Sequence, residues 1–303
     1  MFRAYLRSWS KNEKIYCLRA GKIFLSKLGG VACEKFFYKV QDLTPEEVQL
    51  IDRTVIEPAA APLRAPLRQF LSFYSLAPKM KRDFAGSAHP AFLLVLEELI
   101  VNFAEDYHVE IENNLLLFLK SMLSGNSKFY SDDEQAAKFL YAISVQYTRT
   151  KQAREAALSL IGATVAGCDT SRVMSALSHI IAIILGHSLY IDRQRFSLML
   201  IVNDTDTPFI TADQPIINLH ATFNGKPPEK LEFFYPLSPN RAMLLLEAAD
   251  KRNDQPISAV SVNTYNVLMV QNSYEQVFSN SEAYLSSIRH LVSNEPGDHR
   301  IRT

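Results

Sequence analysis

The sequence predicts an α+β fold: a mostly helical block with a small N-terminal hairpin and a short antiparallel sheet in the C-terminal third. Three observations carry this. Between residues 44 and 190, apolar side chains recur at spacings of three and four, the period of a helix with one buried face. From about residue 194 the pattern changes to short apolar runs separated by turn formers, as strands require. The two patterns are segregated along the chain rather than alternating, which separates α+β from α/β. The chain of 303 residues, 48% of them hydrophobic, can enclose a large core. It reads as a single domain with a hairpin region (1–40), a helical block (41–192), a sheet (193–250) and terminal helices (251–295).

The elements follow in order. Residues 13–27, EKIYCLRAGKIFLSK, place two apolar runs around Ala20-Gly21, and Gly21 can supply the positive φ of a tight hairpin turn. Gly29-Gly30 breaks the chain, and Phe36, Phe37 and Tyr38 form an aromatic cluster for packing. Thr44-Pro45-Glu46-Glu47 is a helix start: Thr44 as cap, Pro45 at the first position, Glu47 closing a capping box. Pro58, Pro62, Pro66 and Pro78 are expected to cut the next stretch into short helices. Pro90 opens a longer helix, and a further run from Ile111 to Met122 ends before Gly125. Ser131 to Glu134 forms a second S-x-x-E box, starting a helix expected to continue to Arg154. Thr170 or Ser171 starts an apolar helix whose run from Val173 to Leu185 falls short of the ~20 residues of a membrane span.

Phe196 to Val202, Phe209 to Thr211, Ile216-Ile217, Leu231 to Tyr235 and Ala242 to Leu246 read as strands. Asp204 to Thr207 and Pro236 to Pro239 read as turns, and 221–230 as a polar loop. Ile257 to Phe278 and Glu282 to Val292 read as helices, and residues 293–303 as a frayed tail. The hairpin and the C-terminal sheet have the means to touch.

Composition narrows the function classes. Thirty-two Lys and Arg balance 32 Asp and Glu. There is no cationic excess to bind nucleic acid by bulk charge. Cys17, Cys33 and Cys168 are too few and too far apart for a disulfide framework or a CxxC metal pair, so a cytoplasmic location is expected. The N-terminus lacks the apolar stretch of a signal peptide. No phosphate-binding glycine loop, HExxH or G-x-S-x-G motif occurs. No cofactor or metal is assigned.

Three segments share a pattern. The first is Phe2 to Tyr38, with Tyr5-Leu6-Arg7, the KIY…GKIF hairpin and an ACEKFFY ending. The second is Gln146-Tyr147-Thr148-Arg149-Thr150 and then Arg154, with Glu110 or Glu112 upstream. The third is Phe209 to Pro215 (FITADQP), then Tyr235 to Pro239 (YPLSP), then Val262-Asn263. In this order they resemble DUF4238, a mainly bacterial family of unknown function, over nearly the whole chain. Family members usually carry a His-Tyr-Val-Pro segment ahead of the first element. This chain begins Met1-Phe2, so either the start is truncated or that His is dispensable. The pattern maps onto Tyr5, Leu6 and Arg7, onto Gln146, Arg149 and Arg154, onto Asp213 and Pro215, onto Pro236, Ser238 and Pro239, and onto Asn263. It brings no established activity.

Two constellations have chemistry to offer. Asp213, at a strand end before Gln214-Pro215, can act as a general base or instead accept backbone N–H groups in a turn. Gln146 and Arg149 share a helix face, and Arg154 joins the stripe if the helix continues. Such a stripe can hold a phosphate or carboxylate, or can form an internal ion pair with Glu110, Glu112 or Asp213. The expected centre is therefore Asp213 with Arg149 as catalytic residues, with Arg7, Gln146, Arg154 and Asn263 binding a ligand. His179 and His187 are expected to be structural or at the surface. Function is expected to be an effector-type hydrolase or nuclease of a defence or toxin system. The alternative is a non-catalytic sensor or binding module for an anionic ligand or a protein partner. A scaffold derived from an enzyme is a third reading.

Overall fold

A computed structural model describes residues 3–31, 40–87, 89–161, 168–221, 228–248 and 257–292. The expected aromatic cluster at 36–38, most of the 221–230 loop and the 293–303 tail lie outside them. The architecture is α+β, with a helical block and two four-stranded antiparallel sheets.

The helices begin with a short α1 (Arg3–Leu6), then α2 (Pro45–Ile51), which continues into a wider turn over Asp52–Ile56. The Thr44 capping box forms as expected: Glu47 N–H donates to Thr44 Oγ1 at 3.2 Å, and Thr44 N–H to Glu47 Oε2 at 2.8 Å. The prolines do not divide the next stretch. Helix α3 (Ala61–Phe84) carries Pro66 and Pro78 inside it. Each removes a backbone donor, but Leu63, Leu67, Leu71, Tyr74 and Pro78 bury one continuous face, and that packing outweighs the local loss.

The two runs expected after Pro90 are one helix, α4 (Pro90–Leu123). Helix α5 (Asp133–Thr148) is capped by Asp132, one residue later than expected, with the Gln135 N–H on Oδ1 at 2.9 Å. It stops at Arg149, and α6 (Lys151–Ile161) is a separate helix. Helix α7 (Thr170–Ile191) runs on past Gly186 and His187. The expectation of a run too short to span is thereby corrected: its 20 residues from Arg172 to Ile191 are long and apolar enough to cross a bilayer by length and composition. In this fold Val173, Met174, Leu177 and Ile180 are buried in a core shared with Leu67, Leu71 and Tyr74 of α3. Gly186 lets α7 approach α5 closely, since a Cβ there would stand 3.1 Å from the Tyr141 backbone.

The hairpin of β1 (Lys14–Arg19) and β2 (Lys22–Lys27) forms as expected, with Ala20 at φ 46° and Gly21 at φ 69° in the turn. It does reach the C-terminal third. Strand β1 pairs with β8 (Gln276–Ser279), and β8 with β4 (Thr211–Ala212), so the sheet runs β2-β1-β8-β4. The second sheet runs β3-β7-β6-β5, from β3 (Phe196–Val202), β5 (Ile217–Asn218), β6 (Phe233–Ser238) and β7 (Arg241–Glu247).

Two segments depart from expectation. The supposed helix over 257–278 is α8 (Ala259–Gln271) followed by strand β8, and α9 (Glu282–Ile288) runs on into a 3-10 turn over Arg289–Leu291. Pro236 to Ser238 lies within β6, with the register irregular between Pro236 and Ser238. Strand β6 is buried on both faces, whereas β2, at the edge of the first sheet, is largely exposed. Phe233, Tyr235 and Leu237 of β6 point into one core with α4 and α5, while Phe234 points into the other, with α8 and α9. This two-residue alternation aims Tyr235 at the α4–α5 pair.

Candidate functional site

The helices α4 and α5 run antiparallel, and their contact changes character along its length. At one end the Phe118 and Phe139 rings meet edge-on at 5.5 Å between centroids. Phe139, Ala142 or Ile143, Gln146 and Arg149 follow at spacings of three and four, so an apolar stripe ends in a polar pair. At that end the Arg149 Nη1 donates to Glu112 Oε1 at 2.6 Å. The Arg149 side chain is 6% exposed and that of Glu112 25%, so the pair is buried on one side and reaches water on the other.

Tyr235 comes to this pair from the sheet. Its ring stacks on Tyr5 at 5.0 Å. The Tyr5 hydroxyl donates to the Pro236 carbonyl at 2.7 Å and lies 2.8 Å from Thr211 Oγ1, which is then the donor of that second bond. Trp9 continues the aromatic row, 5.2 Å from Tyr5, with its indole N–H on the Phe209 carbonyl at 2.9 Å. Burial pushes the Tyr235 hydroxyl far above its ordinary pKa; the Arg149 charge pulls it back and Glu112 adds to the rise. It therefore stays protonated.

Within this centre the Tyr235 hydroxyl and both amide atoms of Gln146 are buried with no hydrogen-bond partner among the described residues. A buried polar group without a partner costs about 1–3 kcal/mol. Gln146 is 1% exposed and Tyr235 fully buried, so bulk water does not meet that need.

Asp213 is not at this centre. Its Oδ1 accepts the Tyr274 N–H at 2.8 Å, and its Oδ2 accepts those of Glu275 at 2.7 Å and Gln276 at 3.1 Å. The expected pairing of Asp213 with Arg149 is thus replaced by two separate networks. Asp213 ties β4 to the turn entering β8, the turn role weighed against catalysis above. Burial raises its pKa, the three N–H groups lower it, and Glu275 beside it raises it. Gln214, overlooked in the sequence, faces the other way: it accepts from the Thr150 hydroxyl and donates to the Ile216 carbonyl at 2.6 Å.

The remaining expected ligands also scatter. Because the helix breaks after Thr148, Arg154 sits on α6, where its charge reaches Tyr74 and His179. There the Tyr74 and Ser175 hydroxyls are 2.7 Å apart, and the His179 ring lies 5.8 Å from that of Phe70. Arg7 is exposed and donates to Glu13 at 2.9 Å. Asn263 is exposed and accepts from the Tyr284 hydroxyl at 2.8 Å. Among the described residues no group of three or more His, Cys, Asp or Glu side chains could hold a metal ion.

Of the expected set, then, Gln146 and Arg149 share a centre with Glu112, which was named as a partner for the arginine. Tyr235 and Tyr5 were not singled out for chemistry. The alternation of β6 could have found Tyr235, as the one polar tip among its inward residues Phe233 and Leu237.

A family model described as a protein of unknown function, DUF4238, matches residues 3–283. No curated protein and no solved structure matches the chain.

Proposed function

The chain belongs to the DUF4238 family, and from that premise we propose that it is a non-catalytic binding module. Its site is the polar centre of Gln146, Tyr235, Arg149 and Glu112. One observation carries this reading: Gln146 and Tyr235 present three buried hydrogen-bonding atoms that nothing in the described protein engages. A bound ligand would satisfy them. The hydrolase or nuclease reading has less support. Its candidate base, Asp213, has both carboxylate oxygens occupied by backbone N–H groups, and no nucleophile–base pair is marked in the sequence.

The test sets the two readings against each other. Purified protein is incubated with labelled RNA, labelled DNA and nucleotides, with and without divalent cations. The binding reading expects no turnover in any arm. Turnover that disappears in a folded Asp213→Ala variant would establish the enzyme instead.

A further inference from the structure

We infer that the polar centre receives a small uncharged ligand through an amide-like edge, a donor and an acceptor on neighbouring atoms, and not an anion. This rests on the binding reading above and names its ligand class. The sequence made an anion the natural guess, because Arg149 is a guanidinium at the end of a buried stripe. The structure changes that arithmetic. The positive charge of Arg149 is met by Glu112 at 2.6 Å. The charges felt at Tyr235 are those of Arg149 and Glu112, one of each sign. An anion entering here would gain little net attraction and would meet the Glu112 carboxylate at close range.

Gln146 and Tyr235 supply this centre with neutral hydrogen-bonding atoms, beside the Arg149 guanidinium that Glu112 already pairs. Gln146 offers an N–H2 donor and a C=O acceptor side by side. The group that complements both at once is another amide-type edge, the geometry by which glutamine reads an adenine. The Tyr235 hydroxyl adds a third contact that can donate or accept. Entry lies on the side of Glu112, the most exposed member of the centre. Such an edge can come from a primary carboxamide or from a nucleobase, and the probes separate the two.

Full-length protein is titrated with acetamide, with adenine, and with acetate and inorganic phosphate as charged counterparts. Calorimetry measures affinity. Trp9, the one tryptophan in the sequence, reports by fluorescence through the Trp9–Tyr5–Tyr235 row. The expected result is saturable binding of acetamide or adenine, with acetate and phosphate weaker. Affinity should fall roughly tenfold in Tyr235→Phe, the loss of one buried hydrogen bond. Gln146→Leu should abolish binding yet leave the fold at least as stable, because it removes two unpartnered polar atoms from the core.

Tighter binding of acetate or phosphate, weakened by Gln146→Leu, overturns the ligand class and leaves the binding reading standing. Saturation by none of the four probes, with Gln146→Leu less stable than the parent, overturns both the inference and this centre as a ligand site: the amide is then a structural, hydrated group. Nuclease or nucleotide turnover, scored in the separate assay above, defeats the binding reading on its own terms.

Discussion

Arg149 and Glu112 join the end of α5 to the middle of α4 through a 2.6 Å ion pair that is almost dry on the arginine side. The pair lies where the α4–α5 contact turns from aromatic to polar. Its two residues also differ in how much each depends on the other. Glu112 has water within reach. Arg149, 6% exposed, has little.

Removing the carboxylate is therefore expected to cost more than an exposed ion pair would. Glu112→Ala leaves the guanidinium buried, and loss of one partner from a buried pair costs about 3 kcal/mol or more. Glu112→Ala combined with Arg149→Met should cost clearly less than the sum of the singles, as a double-mutant cycle by urea unfolding would show. Strict additivity would mean that the pair contributes nothing.

Asp213 is expected to matter for folding and not for the ligand. Replacing it with Asn keeps the shape but sets an N–H2 group against the N–H groups of residues 274–276. The cost should be about 1–3 kcal/mol, measured by chemical denaturation. Affinity for the probe that binds the parent should stay within twofold. A folded Asp213→Asn protein with lost binding would put Asp213 back at the site.

Tyr5 fastens the N-terminal segment to the second sheet. Tyr5→Phe keeps the ring stacked on Tyr235 but removes the donor to the Pro236 carbonyl and the acceptor for Thr211. The expected loss is about 1–2 kcal/mol, with the Trp9 emission shifted because its neighbouring ring is less fixed. An unchanged unfolding midpoint would show that the hydroxyl is replaceable by water.

What could be read in the sequence follows from how local each signal is. The Thr44 capping box, the Ala20-Gly21 turn and the helix face shared by Gln146 and Arg149 depend on residues within four positions, and they stand as expected. The break after Thr148 is local only in part. Thr150 starts α6 locally, its Oγ1 accepting the Ala153 N–H at 3.3 Å, and the junction is also held by Gln214, 64 residues on, which binds Thr150 and the Tyr147 carbonyl. The break at this junction places Arg154 on α6 and undoes the three-residue stripe. Likewise β8 reads as helix because its partner β1 lies at the other end of the chain. Pro78 sits inside α3 because a buried face outweighs one missing donor. The polar centre was half legible: its helix residues have a spacing, whereas Tyr235 reaches it only through the pairing of β6 in the second sheet.

Arg154, displaced from the expected stripe, makes its own prediction through His179. Burial is the larger cause and the Arg154 charge the smaller, and together they bring the His179 pKa down from 6.5 to about 4. The ring is enclosed by Phe70 and Tyr74 of α3, with Arg154 arriving from α6. The folded protein thus resists a proton that the unfolded chain accepts. Between about pH 6.5 and 4 the unfolded state binds more protons, so stability is complete above 6.5 and is lost as the pH falls through that window. From pH 7 to pH 5 this amounts to about 2 kcal/mol. Urea unfolding at the two values should show the parent losing about that much more than His179→Gln, which keeps a donor and an acceptor but cannot titrate. Equal losses would assign the acid sensitivity to other groups.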